Sequence, residues 1–273
     1  MNPYLPYIQS LKQGLESAQS LTVERPPSAS LTPQSSAPKI LLFSPHPDDE
    51  CITGLLALRL QKELGFDVIN VPVTFGSLSS RQSERATELT HACDYLNWKN
   101  LPVRDDLQAL TVADVIQVLG HWSPEVILFP HEQDWNSRHI STNQLMREAL
   151  QGMPNSFSCQ IIESEFWGAM DNPNLMLEGS EEEVAELVAA TSLHVGEVSR
   201  NPYHLSLPFW MQDNVRRGSE LVCGQGQTAP NFTFATLYRI RRWEDGQLQP
   251  PLSDNLVIPN GGNHLKEAHP WKS

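Results

Sequence analysis

Two rhythms of apolar and polar positions alternate along the chain. Short strand-like runs occur at Ile40 to Phe43, Val68 to Val73, Val126 to Phe129 and Gln160 to Ser164. Between them lie longer stretches with helical spacing. Cys51 to Gly65 places Ile52, Leu55, Leu56, Leu58, Leu60 and Leu64 at its apolar positions, and Ser80 to Leu96 and Thr142 to Leu150 follow the same period. Strands that alternate with helices predict an α/β fold, a Rossmann-like, mainly parallel sheet with helices on both faces. In such sheets ligands bind at the carboxyl ends of the strands, so the active site is expected there. Further on, Glu181 to Val198 and Pro208 to Val222 read as helices, and Phe232 to Ile240 alternates as a strand.

Residues 1 to about 22 read as a short helix, and Val23 to Pro38 is rich in Pro and Ser, which suggests an extended arm. The expected organisation is an N-terminal helix and arm over 1–38, followed by one α/β domain over 39–273. No G-x-G-x-x-G follows the first strand, which argues against a dinucleotide.

Composition narrows the partners. The formal net charge of −13 argues against nucleic acid and against an anionic membrane surface. No apolar run approaches the roughly 18 residues of a membrane span, and Met1 to Leu21 lacks the basic start and apolar centre of a signal peptide, so a cytoplasmic location is expected. Cys51, Cys93, Cys159 and Cys223 form no C-x-x-C pair and read as reduced and mostly buried. The sequence leaves room for a homo-oligomer without indicating one.

The densest chemistry lies directly after the first strand, in Ser44-Pro45-His46-Pro47-Asp48-Asp49-Glu50. One imidazole and two adjacent carboxylates at a strand-to-helix turn are suited to a metal ion with its own base. His46 and Asp49, three apart, can converge on one ion while Asp48 points elsewhere. A catalytic zinc commonly takes three protein ligands and keeps one position open, so a third ligand should come from a distant loop. Two candidates follow the strand at Val126 to Phe129, namely His131 and His139.

His46 to Glu50 resembles the His-Pro-Asp-Asp-Glu signature of the zinc-dependent de-N-acetylases, the family of N-acetylglucosaminyl-phosphatidylinositol deacetylase and of the mycothiol and bacillithiol deacetylases. The resemblance implies His46 and Asp49 as zinc ligands and Asp48 as general base. Family members often carry two histidines three apart in the second loop, the second of them on zinc and followed by a helix. That register favours His139 over His131 and sets Asn136 where the first histidine would stand. There Asn136 could donate a hydrogen bond to an oxyanion but could not carry a proton. Arg138 or Asp134 would cover part of the missing role.

The family also places an Arg near the substrate on the helix after the second strand. Arg85 matches it, with Glu88 read as the outer half of an exposed pair at helical spacing. The implied activity is zinc-assisted removal of an acetyl group from an N-acetylglucosamine-type substrate, with Asp48 and Asn136 in catalysis, Arg85 and Arg138 on the substrate, and His46, Asp49 and His139 on zinc. The alternatives are a zinc-binding module of the same fold without catalysis and a metal-dependent hydrolase of another bond. Arg200 to His204 and Cys223 to Gln227 could line the pocket, with His204 more often a packed structural residue.

Overall fold

The computed structural model describes residues 2–24 and 36–268. The first half of the chain forms α1 (Leu5–Ala18), β1 (Lys39–Ser44), α2 (Asp49–Ile52), α3 (Leu55–Leu64), β2 (Asp67–Pro72), α4 (Ser79–Tyr95), β3 (Lys99–Asn100), α5 (Val112–Trp122), β4 (Val126–Pro130) and α6 (Ser137–Gln151). The second half adds β5 (Cys159–Ser164), β6 (Leu175–Gly179), α7 (Glu181–Ser192), α8 (Val195–Arg200), a 3-10 turn at Tyr203–Leu205, α9 (Leu207–Leu221), β7 (Phe234–Glu244), β8 (Gln247–Leu248), β9 (Leu256–Ile258) and α10 (His264–Glu267). Most of the Pro- and Ser-rich arm, residues 25–35, lies outside the described residues.

All strands join one sheet, in the order β3-β2-β1-β4-β5-β7-β6-β9, with β8 paired to β7. The run from β3 to β5 is parallel throughout. β7 enters antiparallel between β5 and β6, and β9 pairs parallel to β6. The sheet is therefore mostly parallel, as the alternation of elements predicts. Side chains alternate faces along each strand, and β1 feeds a core on both sides. Ile40 and Leu42 pack with Leu55, Leu58, Leu89 and Leu187 on one face, whereas Leu41 and Phe43 pack with Val115, Leu119, Met146 and Leu150 on the other.

The chain leaves β1 toward β2 and leaves β4 toward β5. The order thus reverses between β1 and β4, which opens a crevice at their carboxyl ends, the position where such sheets bind ligands.

Several elements differ from the periodicity. The stretch Cys51 to Gly65 is two helices that part at Thr53 and Gly54, and only glycine fits there, since a Cβ on Gly54 would lie 2.3 Å from the Glu50 carbonyl oxygen and 2.6 Å from the Trp98 ring. The predicted helix Glu181 to Val198 also divides, at Leu193 and His194, where His194 turns inward to full burial. α6 begins at Ser137 rather than near Thr142, which brings His139 into its first turn. α5 was not marked by the apolar pattern; it starts at a capping box, with Thr111 N–H donating to Asp114 Oδ2 at 2.8 Å and Asp114 N–H donating to Thr111 Oγ1 at 3.3 Å. Among the described residues no helix is long and apolar enough to cross a membrane.

Candidate metal centre and active site

Two strand ends build the site. After β1, the His46 backbone N–H donates to Asp49 Oδ2 at 2.9 Å, and the His46 ring nitrogen Nδ1 lies 3.2 Å from the same oxygen. After β4, the loop turns into α6 through Asp134 and Asn136. Asn136 N–H donates to Asp134 Oδ1 at 2.8 Å, and Asn136 Oδ1 caps the helix by accepting from Arg138 N–H at 2.9 Å. One turn into the helix, His139 presents Nε2 to Asp49 Oδ2 at 3.3 Å and Nδ1 to Asp134 Oδ2 at 3.3 Å.

His46, Asp49 and His139 thereby converge from two loops, their candidate ligand atoms within 4.8 Å of one another. Asp49 Oδ1 and His139 Nε2 are buried with no hydrogen-bond partner. Such orphaned polar atoms are costly unless something else coordinates them. The donor set of two imidazoles and one carboxylate is one that a zinc-type ion takes, so the residues fit a metal. Asp134 stands behind His139 as the carboxylate that commonly orients a ligating histidine.

His131 is a different residue. It is fully buried, its Nε2 pairs with the Gly168 carbonyl oxygen at 2.9 Å, and its Nδ1 accepts from Gln133 N–H at 3.2 Å. Both ring nitrogens tie loops together, and neither joins the convergent group.

Asp48 has φ of 123°, a backbone conformation that a non-glycine residue rarely adopts. Strain of this kind costs on the order of 1–3 kcal/mol and persists only where the surroundings impose it. Here Glu50 imposes it. Glu50 is fully buried, accepts the Asp48 N–H on Oε2 at 2.8 Å, and meets His194 Nε2 with Oε1 at 2.7 Å. The Asp48 carboxylate is fixed from the other end of the chain, since the Tyr203 hydroxyl donates to its Oδ2. Arg85 completes the frame, donating to the Pro47 carbonyl oxygen at 3.1 Å and standing 4.0 Å from Asp48 Oδ2.

The electrostatics separate the two aspartates. Burial, then the charge of Asp49, pushes the Asp48 carboxyl up to about 8. Burial alone would raise Asp49 too, but the charge of His139, with the His46 imidazole beside it, holds it well below the usual carboxylate range. Burial opposes charge on His139, yet Asp49 and Asp134 raise it to about 10. A cation between these ligands would replace the imidazolium proton and counter the rise at Asp48.

A cavity of about 270 Å³ opens beside this group, lined by His46, Asp48, Arg85 and Asn136 together with Trp135, Trp167, Glu197, Arg200, Asn201 and Tyr203. Arg138 is not in that lining. It is exposed on the first turn of α6, and its side chain enters no ion pair among the described residues. Glu88 departs from the exposed pair expected of it: it is buried and accepts the Gly196 N–H at 2.8 Å, fastening the start of α8 to α4. The segment Arg200 to His204 does reach the pocket, through Arg200, Asn201 and Tyr203, while His204 lines a separate groove formed with Gln19 to Val23 and α4.

Residues 41–150 match the sequence model of the PIG-L family, GlcNAc-PI de-N-acetylase. Those 110 of the 273 residues carry the likeness to the PIG-L family. The matched segment runs from within β1 through the motif and the second loop to the last turn of α6. No curated protein matches the chain.

Among solved structures, N,N'-diacetylchitobiose deacetylase from Pyrococcus horikoshii is 16% identical, with a TM-score of 0.55, over 88% of this chain and 93% of that one. The zinc-inhibited form of teicoplanin deacetylase is 16% identical, with a TM-score of 0.52, over 76% of this chain and 99% of that one. A 4-carboxy-2-hydroxymuconate hydratase from Pseudomonas putida is 17% identical, with a TM-score of 0.57, over 74% of this chain and 95% of that one. At these identities the likeness concerns the fold, and the reaction has to be argued from the site.

Proposed function

We propose that the protein is a zinc-dependent amide hydrolase that removes the acetyl group from an N-acetylglucosamine-type amino sugar. The observation that carries this reading is the convergence of His46, Asp49 and His139 around two orphaned ligand atoms, with Asp48 held beside them at the wall of a cavity. Bound by those three side chains, zinc supplies Lewis acidity that polarises a carbonyl and brings the pKa of water toward about 7.

Asp48 is the base that takes the proton of the attacking water. Tyr203 occupies its Oδ2, which leaves Oδ1 for the exchange. A carboxyl whose burial favours the protonated form near neutral pH can then hand that proton to the departing amine. With its oxygen committed to the helix cap, Asn136 has only its amide nitrogen to offer, and that group donates to the carbonyl oxygen as negative charge gathers there. Arg85 binds substrate from the cavity wall while bracing the motif turn. Arg138, exposed on the first turn of α6 and outside the cavity lining, has no part in this reading.

The domain name of the family and the amino-sugar substrate in the name of the Pyrococcus enzyme support the substrate class. Cys51, Cys93 and Cys159, buried and unpaired, support a reducing, cytoplasmic location. The chain over 39–273 acts as one catalytic domain in this reading, its strands forming one sheet. The test is release of free amine from N-acetylated sugars by zinc-loaded protein. Zinc binding at full occupancy with no amine released from any N-acetylated sugar would overturn the proposal, and would leave the non-catalytic module or a hydration reaction on the same fold.

A further inference from the structure

Trp135 is 69% exposed, an uncommon setting for so large an apolar side chain, and it stands at the mouth of the cavity. It is not loosely placed. Its Nε1–H donates to the Trp167 carbonyl oxygen, and the two indoles meet at 6.1 Å and 76°. Trp167 contacts Phe166 edge to face at 4.9 Å and Tyr203 at 6.0 Å. The loops after β4 and β5 touch through their backbones beside this pair: a Cβ on Gly168 would lie 2.7 Å from Asp134 Cα. A rigid wall of rings thus leads from the exposed mouth to the Tyr203 hydroxyl on Asp48.

The rest of the lining is polar, and its guanidiniums are tied to carboxylates, Arg85 standing 4.0 Å from Asp48 Oδ2 and Arg81, outside the lining, 3.8 Å from Glu84. Glu197 pairs with Arg81 at 3.0 Å, lies 3.8 Å from Arg85 and also pairs with Arg200, while Asn201 adds a neutral amide. Cations already shared among carboxylates offer little to a phosphate. An apolar ring face beside clustered donors and acceptors suits a pyranose, since its C–H face lies on an aromatic ring and its hydroxyls seek polar partners. A cavity of about 270 Å³ lies at the small end for a ligand site, roughly 300–1,000 Å³. It has room for about one ring, with the exposed face of Trp135 at its edge.

We propose that Trp135 and Trp167 form a second sugar subsite that stacks the neighbouring ring of a glycoside, making Trp135 a specificity-determining residue that selects glycosides of two or more rings over a free monosaccharide. The position of the first ring rests on the deacetylase reading, but the stacking does not need turnover. The test is therefore a binding titration by calorimetry and tryptophan fluorescence, using the β-1,4-linked glucosamine disaccharide and free glucosamine, neither of which carries an acetyl group to cleave.

The wild-type protein should bind the disaccharide about tenfold more tightly than glucosamine. Trp135→Ala should erase that ratio, and Trp135→Phe should keep most of it, with zinc content unchanged in both. Equal affinity for the two sugars, or an unchanged ratio in Trp135→Ala, would overturn the subsite even if acetylated sugars are hydrolysed. A Trp135-dependent preference in a protein that releases no amine would uphold the subsite and sink the deacetylase reading alone.

Discussion

Replacing His194 by alanine removes the partner of Glu50 at a place where neither side chain is exposed. Truncating one member of such a pair leaves an uncompensated charge in the interior and costs about 3–5 kcal/mol. In His194→Ala the Glu50 carboxylate keeps the Asp48 N–H on Oε2 and the Cys51 thiol, 3.1 Å away, on Oε1. These remaining partners set the expected loss toward the lower part of that range, about 3 kcal/mol. Urea unfolding of the metal-free protein reads it as a lower midpoint at unchanged slope. A loss under about 1 kcal/mol would refute the idea that the pair is a buried strut.

The double variant Glu50→Met with His194→Leu separates stability from function. Replacing both charges by apolar groups of similar size often restores stability, so much of the loss should return. Activity should not return, because Asp48 N–H loses its acceptor and nothing then imposes the φ of 123°. Full turnover in the double variant would show that the strained turn is held by other contacts. The pair should also give stability a pH dependence. Burial opposes charge on His194 but Glu50 wins, so its folded pKa is raised. Its contribution is fully present below the ordinary imidazole value of about 6.5 and is lost as pH climbs through the raised one.

His139→Ala should lose most of about one bound zinc per chain, and Asp134→Asn should weaken zinc binding about 10- to 100-fold, both measured by metal analysis after dialysis; full retention in His139→Ala would remove that ligand from the site. Asp48→Asn should keep its zinc and lose turnover by a factor of about 10² to 10⁴, and near-normal amine release would assign the base elsewhere. Asn136→Ala should lower kcat about 10²- to 10³-fold and also cost about 1 kcal/mol of stability, because it removes both an oxyanion donor and a helix cap. Asn136→Asp keeps the cap and loses the donor, so it should lower kcat without the stability loss; normal kcat in both variants would put the amide outside the reaction.

What the sequence made legible was local. β1, β2, β4 and β5 lie within a residue or so of the predicted runs because each is an apolar stretch bounded by a turn. The His46 to Glu50 turn could be read because its residues are consecutive, and the family resemblance, aligned on the helix after β4, implied His139 over His131. The contacts that finish the site are long-range. Tyr203 reaches Asp48 across 155 residues, and His194 reaches Glu50 across 144. No periodicity signals either contact, and the neighbouring His204 drew attention by residue type while Tyr203 carried the bond. Glu50 had no assigned role because its task is to hold a backbone amide, which leaves no trace in spacing. The position of β7 between β5 and β6 was hidden for the same reason, since sheet order is decided by packing partners far along the chain.

The hydratase that shares this fold makes the division of labour plain. A sheet whose order reverses between β1 and β4 provides a crevice and two loops, and does not choose between adding water to a double bond and adding it to an amide. That choice depends on where proton and negative charge must go. Amide cleavage needs one group that accepts the water proton and later protonates nitrogen, with a donor facing the carbonyl oxygen. Asp48, pushed up by burial and steadied through Oδ2 by Tyr203, suits the first task. Asn136, its oxygen spent on the helix cap, suits the second. Because Glu50 holds the backbone of Asp48 while Asp134 stands 3.3 Å from the ring of His139, the proposed base and the proposed metal ligand are braced by separate carboxylates. A change in one brace should therefore alter turnover or metal affinity without altering both, which is the signature that the variants of Glu50 and Asp134 compare.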